Sequence, residues 1–159
     1  MALTADILES WRHPRVVIRR LAARGRSEPF VLSFLFVFLL LAFTARAPSV
    51  ARDVAVNPAG SLYPSLFGVA LGMLALIPVF YLMAALGHLV AKLMGGTGGY
   101  YDGRLALFWA LTCTAPAMLL AGLIHAFAHN SLAVSVVDIA VFLIFLTLYI
   151  AMLTEVEGA

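Results

Sequence analysis

The stretch KLMGGTGGYYDG, residues 92–103, is the short break between two long apolar runs, and it is crowded with glycine. How it is read decides the fold. A phosphate-binding loop of the form G-x-x-x-x-G-K-[ST] needs a strand before it and a helix after it, so that backbone N–H groups and a lysine can cradle phosphates. Here Gly95, Gly96, Gly98 and Gly99 are followed by neither Lys-Ser nor Lys-Thr, and the run before them has the length of a membrane helix. The dinucleotide pattern G-x-G-x-x-G fails as well, because the position that would complete it from Gly96 and Gly98 is Tyr101. What glycine does supply is access to positive φ, so a helix can stop at Gly95 or Gly96 and the chain can turn back within a few residues. The stretch therefore predicts a tight re-entry turn. Tyr100 and Tyr101 are expected at the headgroup level, with Lys92 and Arg104 reaching toward phosphates on either side.

The flanking runs fix the class. Hydrophobic residues make up 64% of the 159 and charged residues 11%, with a mean hydropathy of +1.04, whereas soluble domains carry about 25% charged residues. This excludes a soluble enzyme or a soluble binding module. Runs at residues 30–45, 66–91, 105–128 and 132–153 can each cross a hydrocarbon layer about 30 Å thick, which takes roughly 20 helical residues. The first is short and is expected to borrow a turn on either side. Pro78 and Pro116 fall near the middles of the second and third runs and should kink both at similar depth. The expected fold is all-α: a polytopic membrane protein with four transmembrane helices in residues 29–159, preceded by a basic amphipathic interfacial segment in residues 1–28.

Orientation follows from the basic residues in the short flanks, since these resist translocation. Arg12, Arg15, Arg19, Arg20, Arg24 and Arg26 precede the first span, and Lys92 and Arg104 border the glycine turn, against only Arg46 and Arg52 on the other side. Both termini and the glycine turn are expected in the cytoplasm, with residues 46–64 and 129–131 outside. Ala45-Arg46-Ala47 resembles a signal-peptide cleavage site, but the 29 residues ahead of the first run are too long for the usual basic leader, so the span is expected to stay as an anchor.

Within the N-terminal segment, TADILESWRHPRVVIRRLAARG reads as two short helices broken before Pro14, with Gly25 just past the end of the second. Leu3, Ile7, Leu8 and Trp11 form one apolar stripe, and Val17, Ile18 and Leu21 another. Such helices are expected to lie in the membrane interface with the six arginines on anionic lipid headgroups, each worth about 1 kcal/mol. The alternative is that these charges only fix topology. Nucleic acid is not an expected partner, because no aromatic platform is interleaved with the arginines.

The order of a long apolar helix, then HLVAKLMGGTGGYY, then RLALFWALTCTAPAMLL resembles the Yip (Ypt-interacting protein) domain family of small multi-spanning membrane proteins. The matching positions are Lys92, Gly95, Gly96, Gly98, Tyr100 and Pro116: a basic residue, a glycine-rich turn, an aromatic, and a helix with proline near its middle. WRHPRVVIRRL resembles the start of bacterial members, so the likeness covers nearly the whole chain. The resemblance implies an all-helical, non-enzymatic protein without a cofactor, with a cytoplasmic N-terminus and a tendency to form complexes. Eukaryotic members associate with Rab-type GTPases in vesicle traffic, but they usually have five spans and an Asp-Leu-Tyr-Gly-Pro motif. This chain has four apolar runs and no such motif, so the resemblance carries the architecture, not the GTPase partner. For bacterial members it implies no settled activity, and the expected location is the bacterial inner membrane.

Polar groups inside spans are costly and usually face protein. Asp138 lies about two turns into the fourth run, and His125 and His129 lie four apart at the outer end of the third, so the three can meet. Two histidines at i and i+4 with a carboxylate could hold zinc. The expected reading is plainer: Asp138 hydrogen-bonds between helices, and no metal is expected because no Glu accompanies the histidines as in H-E-x-x-H. His88 sits one turn before Lys92 and is expected to contact the glycine turn. Thr112, Cys113, Thr114 and Pro116 cluster at mid-depth, where hydroxyls are expected to satisfy the carbonyls that proline frees; the alternative is a small polar pocket. Cys113 is the only cysteine, so no internal disulfide can form, and no base lies beside it in a way that supports nucleophilic chemistry. Gly68 and Gly72 form a GxxxG pair extended by Ala75, expected to serve helix packing within the chain or between copies.

These features predict a non-enzymatic interaction, organising or assembly factor, with lipids and other membrane proteins or a larger membrane complex as partners and a homo-oligomer as a further form. The alternative is a small oligomeric transporter or channel with a midplane site between the kinked second and third helices.

Overall fold

The computed structural model describes residues 3–57, 60–127 and 132–158. Among these residues the chain forms seven helices: α1 (Leu3–Arg12), α2 (Pro14–Ala22), α3 (Glu28–Val56), α4 (Leu62–Ala75), α5 (Ile77–Leu93), α6 (Tyr100–Phe127) and α7 (Leu132–Glu157). Four helical spans are long and apolar enough to cross a membrane: α3, α4 with α5, α6 and α7. The molecule is an all-α polytopic membrane protein. Its two ends are called here the turn end, where residues 94–99 join α5 to α6, and the far end.

Helix α6 is the axis of the bundle. More than half of its most apolar window (56%) is buried, against 6% for the α4–α5 span, and every residue from 105 to 115 is buried. Phe34 of α3 meets Trp109 edge to face at 4.8 Å, and Phe108 meets Tyr81 of α5 at 5.2 Å. Lipid chains are as apolar as these side chains, so what holds the helices together is close packing rather than expulsion of water. Two backbones come close at Gly122, where a Cβ would overlap the Ala45 carbonyl of α3, so only glycine permits the approach there.

Two boundaries differ from the sequence expectation. Helix α3 does not end near Ala45 but runs on through Pro48 to Val56. The extra turns are held by tertiary contacts: the Arg52 guanidinium donates to the Ala126 carbonyl at 2.6 Å, capping the last turn of α6 where free carbonyls favour a cation. Residues 46–56 are therefore helix, not loop. The second span is interrupted at the single residue Leu76, which keeps right-handed helical dihedrals, because Pro78 cannot donate to the turn before it; Pro78 sits in the first turn of α5, where no donor is needed.

The N-terminal helices break at Pro14 as expected; the stripe on α2 faces protein rather than lipid, whereas on α1 only Ile7 is buried and Leu3, Leu8 and Trp11 stay exposed. Val17 and Ile18 are fully buried and Leu21 nearly so, in the same core cluster as Ile7, Leu105 and Trp109. The α1–α2 hairpin is pinned by two indoles: Trp109 Nε1 donates to Ser10 Oγ at 3.0 Å, and Trp11 Nε1 donates to the Cys113 carbonyl at 2.8 Å. Cys113 lies nine residues beyond Arg104, so the hairpin reaches roughly 13 Å along α6 from that arginine.

Candidate functional site at the glycine turn

The turn is built from its ends inward. Helix α5 closes in a Schellman motif: Gly95 takes φ +99°, the Gly96 N–H donates to the Ala91 carbonyl at 2.9 Å, and the Gly95 N–H to the Lys92 carbonyl at 3.1 Å. Helix α6 opens with the Gly99 N–H donating to Asp102 Oδ2 at 2.9 Å, half of a capping box. Between these caps the Thr97 N–H donates to the Glu157 carbonyl at 2.7 Å, tying the turn to the end of α7.

Beneath the turn lies a buried pair that the sequence reading did not find. His88 Nδ1 of α5 is 2.6 Å from Glu157 Oε1 of α7, with the two side chains 3% and 0% exposed. The glycines are there to admit it. A Cβ on Gly98 would come within 2.7 Å of Glu157 Oε2 and 2.9 Å of the Val156 carbonyl, and one on Gly103 within 3.0 Å of His88 Cβ. The Tyr100 ring leans on the His88 imidazole at 4.4 Å. Glu157 Oε2 has no hydrogen-bond partner among the described residues, so the carboxyl is anchored through one oxygen only.

Around this pair, several basic residues expected on lipid are committed elsewhere. Arg104 pairs with Glu28 and stands 5.8 Å from the Tyr81 ring centre. Arg19 pairs with Glu155, Arg26 with Asp102 at 3.4 Å, and Arg20 with Glu9 at 2.6 Å and Asp6 at 3.3 Å. The Arg20 hydrogen bond holds the Glu9 carboxyl below its ordinary range, and Glu9 in return raises Arg20. Arg12, Arg15, Arg24 and Lys92 are exposed. Tyr101 is buried in protein: its hydroxyl donates to the Gly25 carbonyl and accepts from the Ser27 N–H, both at 3.2 Å.

The match to known families covers this whole assembly. The sequence model of the Yip1 domain matches residues 8–158, from α1 to the last turn of α7. The chain belongs to the Yip1 domain family. Comparison with curated proteins and with solved structures gives no match. In this Yip1 domain Lys92 lies in the last turn of α5, Gly95 and Gly96 follow its C-cap Met94, Gly98 closes over Glu157, Tyr100 covers His88, and Pro116 lies inside α6.

At mid-depth the Yip1 domain corrects one expectation. The Thr112 hydroxyl donates to the Phe34 and Phe108 carbonyls and Thr114 to Ala110, so neither serves the backbone that Pro116 loosens. The Trp11 indole bonds the Cys113 carbonyl, one residue past the Thr112 carbonyl that loses its helical donor to Pro116. Thr112, Cys113 and Thr114 are at most 2% exposed, and Thr114 borders a cavity whose lining is largely apolar, with Leu111, Met118 and Phe145.

At the far end His125 Nε2 and Asp138 Oδ1 meet at 2.8 Å, with side chains 25% and 54% exposed. His129 lies outside the described residues, and among those described no three His, Cys, Asp or Glu side chains gather to hold a metal. Gly68 and Gly72 are exposed, and nothing lies within 4 Å of a Cβ placed on either. That face packs against no other described residue of the chain; the glycines at tight contacts between helices are Gly87, Gly103 and Gly122.

Proposed function

We propose that this protein is a non-enzymatic organising or assembly factor of a bacterial inner membrane, which holds other membrane proteins against the α4–α5 side of its bundle. The observation that carries this reading is the bare small-residue face of Gly68, Gly72 and Ala75 on a span with only 6% of its window buried. Helices meet closely in lipid where small residues let backbones approach, so such a face suits a partner helix. The tightly bound axis α6 supplies a rigid frame on which that span is displayed. The distribution of Lys and Arg supports cytoplasmic termini, and exposed Arg12 and Arg15 suit anionic headgroups.

A midplane transport site is the less supported reading, because the place where it was expected, between Pro78 and Pro116, is filled by Phe108, Tyr81 and the buried threonines. The test is photo-crosslinking from position 72 in native membranes, with the adduct identified by mass spectrometry. A discrete adduct with one membrane protein is expected. Adducts with lipid alone would overturn the reading.

A further inference from the structure

We propose that the far end of the molecule binds one aminophospholipid, with its phosphate on Arg46, its ammonium on Asp138 and an acyl chain in the furrow behind them. This goes beyond the role in assembly and does not depend on it.

The argument starts from unbalanced charge. Arg46 projects from α3 into a cavity of about 150 Å3 that it lines together with Ser49, Met118, Gly122, His125 and Asp138. No acidic side chain among the described residues pairs with Arg46, while its counterparts at the turn end, Arg19, Arg20, Arg26 and Arg104, all have acidic partners. Asp138 is similarly half-engaged: Oδ1 faces His125 Nε2, and the side chain is 54% exposed. A cation and a carboxylate lining one small cavity fit a ligand that carries both signs. The volume lies well below the roughly 300–1,000 Å3 of sites for drug-sized ligands, so it suits a headgroup-sized moiety.

The cavity does not end at Asp138. A second space of about 230 Å3 shares Met118, Ala121 and Asp138 with the first and continues along Leu111, Val141, Phe142 and Phe145. The direction of these residues settles the geometry. On α6 the lining steps from His125 back to Leu111, on α7 from Asp138 on to Phe145, and on α3 from Arg46 back to Phe38, so all three helices carry the furrow from the far end toward mid-depth. Polar at the boundary and apolar toward the bilayer centre is the order of a phospholipid, and a water-soluble zwitterion would have no use for the apolar part. An ammonium with N–H groups can donate to the free side of Asp138; a quaternary ammonium cannot.

The test is native mass spectrometry of the full-length protein, delipidated in mild detergent and given phosphatidylethanolamine, phosphatidylcholine, phosphatidylglycerol or free phosphoethanolamine at matched concentration. Phosphatidylethanolamine should be retained about tenfold better than the other two lipids, the size expected of one charge-assisted hydrogen bond. Asp138→Asn should remove that preference, and Arg46→Gln should lower retention of all three lipids. Val141→Trp, which fills the furrow and leaves the charged groups intact, should abolish retention and serves as the readout if a charge variant does not fold. Equal retention of the three lipids by the unaltered protein would overturn the proposal. So would free phosphoethanolamine bound as tightly as the lipid, or retention unaffected by Val141→Trp.

Discussion

The molecule contains the same chemical pair twice, a histidine from one helix facing a carboxylate on α7, and the two pairs differ in everything around them. His88 and Glu157 meet at 2.6 Å beneath a lid of glycines, while His125 and Asp138 meet at 2.8 Å beside an open cavity. At the turn end the backbone closes on the pair and leaves side chains no room to move, so the pair joins α5 to α7 and acts as a clamp. At the far end the carboxylate keeps a free side, so the same chemistry remains available to another group. Enclosure, not residue type, separates the two roles.

The contrast can be broken most directly by removing each carboxylate. Glu157→Ala should lower stability by about 1–3 kcal/mol, since it leaves the buried His88 Nδ1 without its hydrogen-bond partner, whereas Asp138→Ala should cost at most about 1 kcal/mol, as for exposed pairs. Thermal unfolding in mild detergent measures both, and equal losses would end the distinction. Of the same size, Gly98→Ala should cost about 1–3 kcal/mol by overpacking against Glu157. At the lipid-facing face Gly72→Leu should leave unfolding unchanged while weakening capture of a partner, which blue-native electrophoresis of solubilised membranes would resolve. The smallest effect concerns Glu9. Because Arg20 lowers its carboxyl, the stability it contributes is present above its ordinary value of 4.5 and is lost as pH falls through the lowered one. Glu9→Gln should therefore flatten the acid limb of a melting-temperature profile below pH 4.5 and leave the neutral limb untouched.

Much of this architecture was legible in the sequence, because run length and turn chemistry are local properties. The four spans, the hairpin break at Pro14 and the stop of α5 at Gly95 follow from apolar length, a missing donor and one positive φ. What each face meets is not local. The stripe of Val17, Ile18 and Leu21 has one periodicity whether it lies on lipid or protein, and only Trp11 and Trp109 bonding across to α6 and α1 decide it. Residues 46–56 read as a loop because their helix is completed by Arg52 on the end of α6. Glu157 was hidden for a different reason: a carboxylate among polar residues past an apolar run looks like a solvated tail. His125 with Asp138 was readable from spacing, but Arg46 as their neighbour was not, since it belonged to the misplaced boundary.

The α1–α2 hairpin has a further consequence for the bilayer. It adds two helices beside α6 and α7 over the half of the bundle nearer the turn end, and no described element adds comparable bulk at the other half. The cross-section therefore tapers from one membrane face to the other. A body crowded at one end displaces more lipid from the monolayer at that end than from the opposite one.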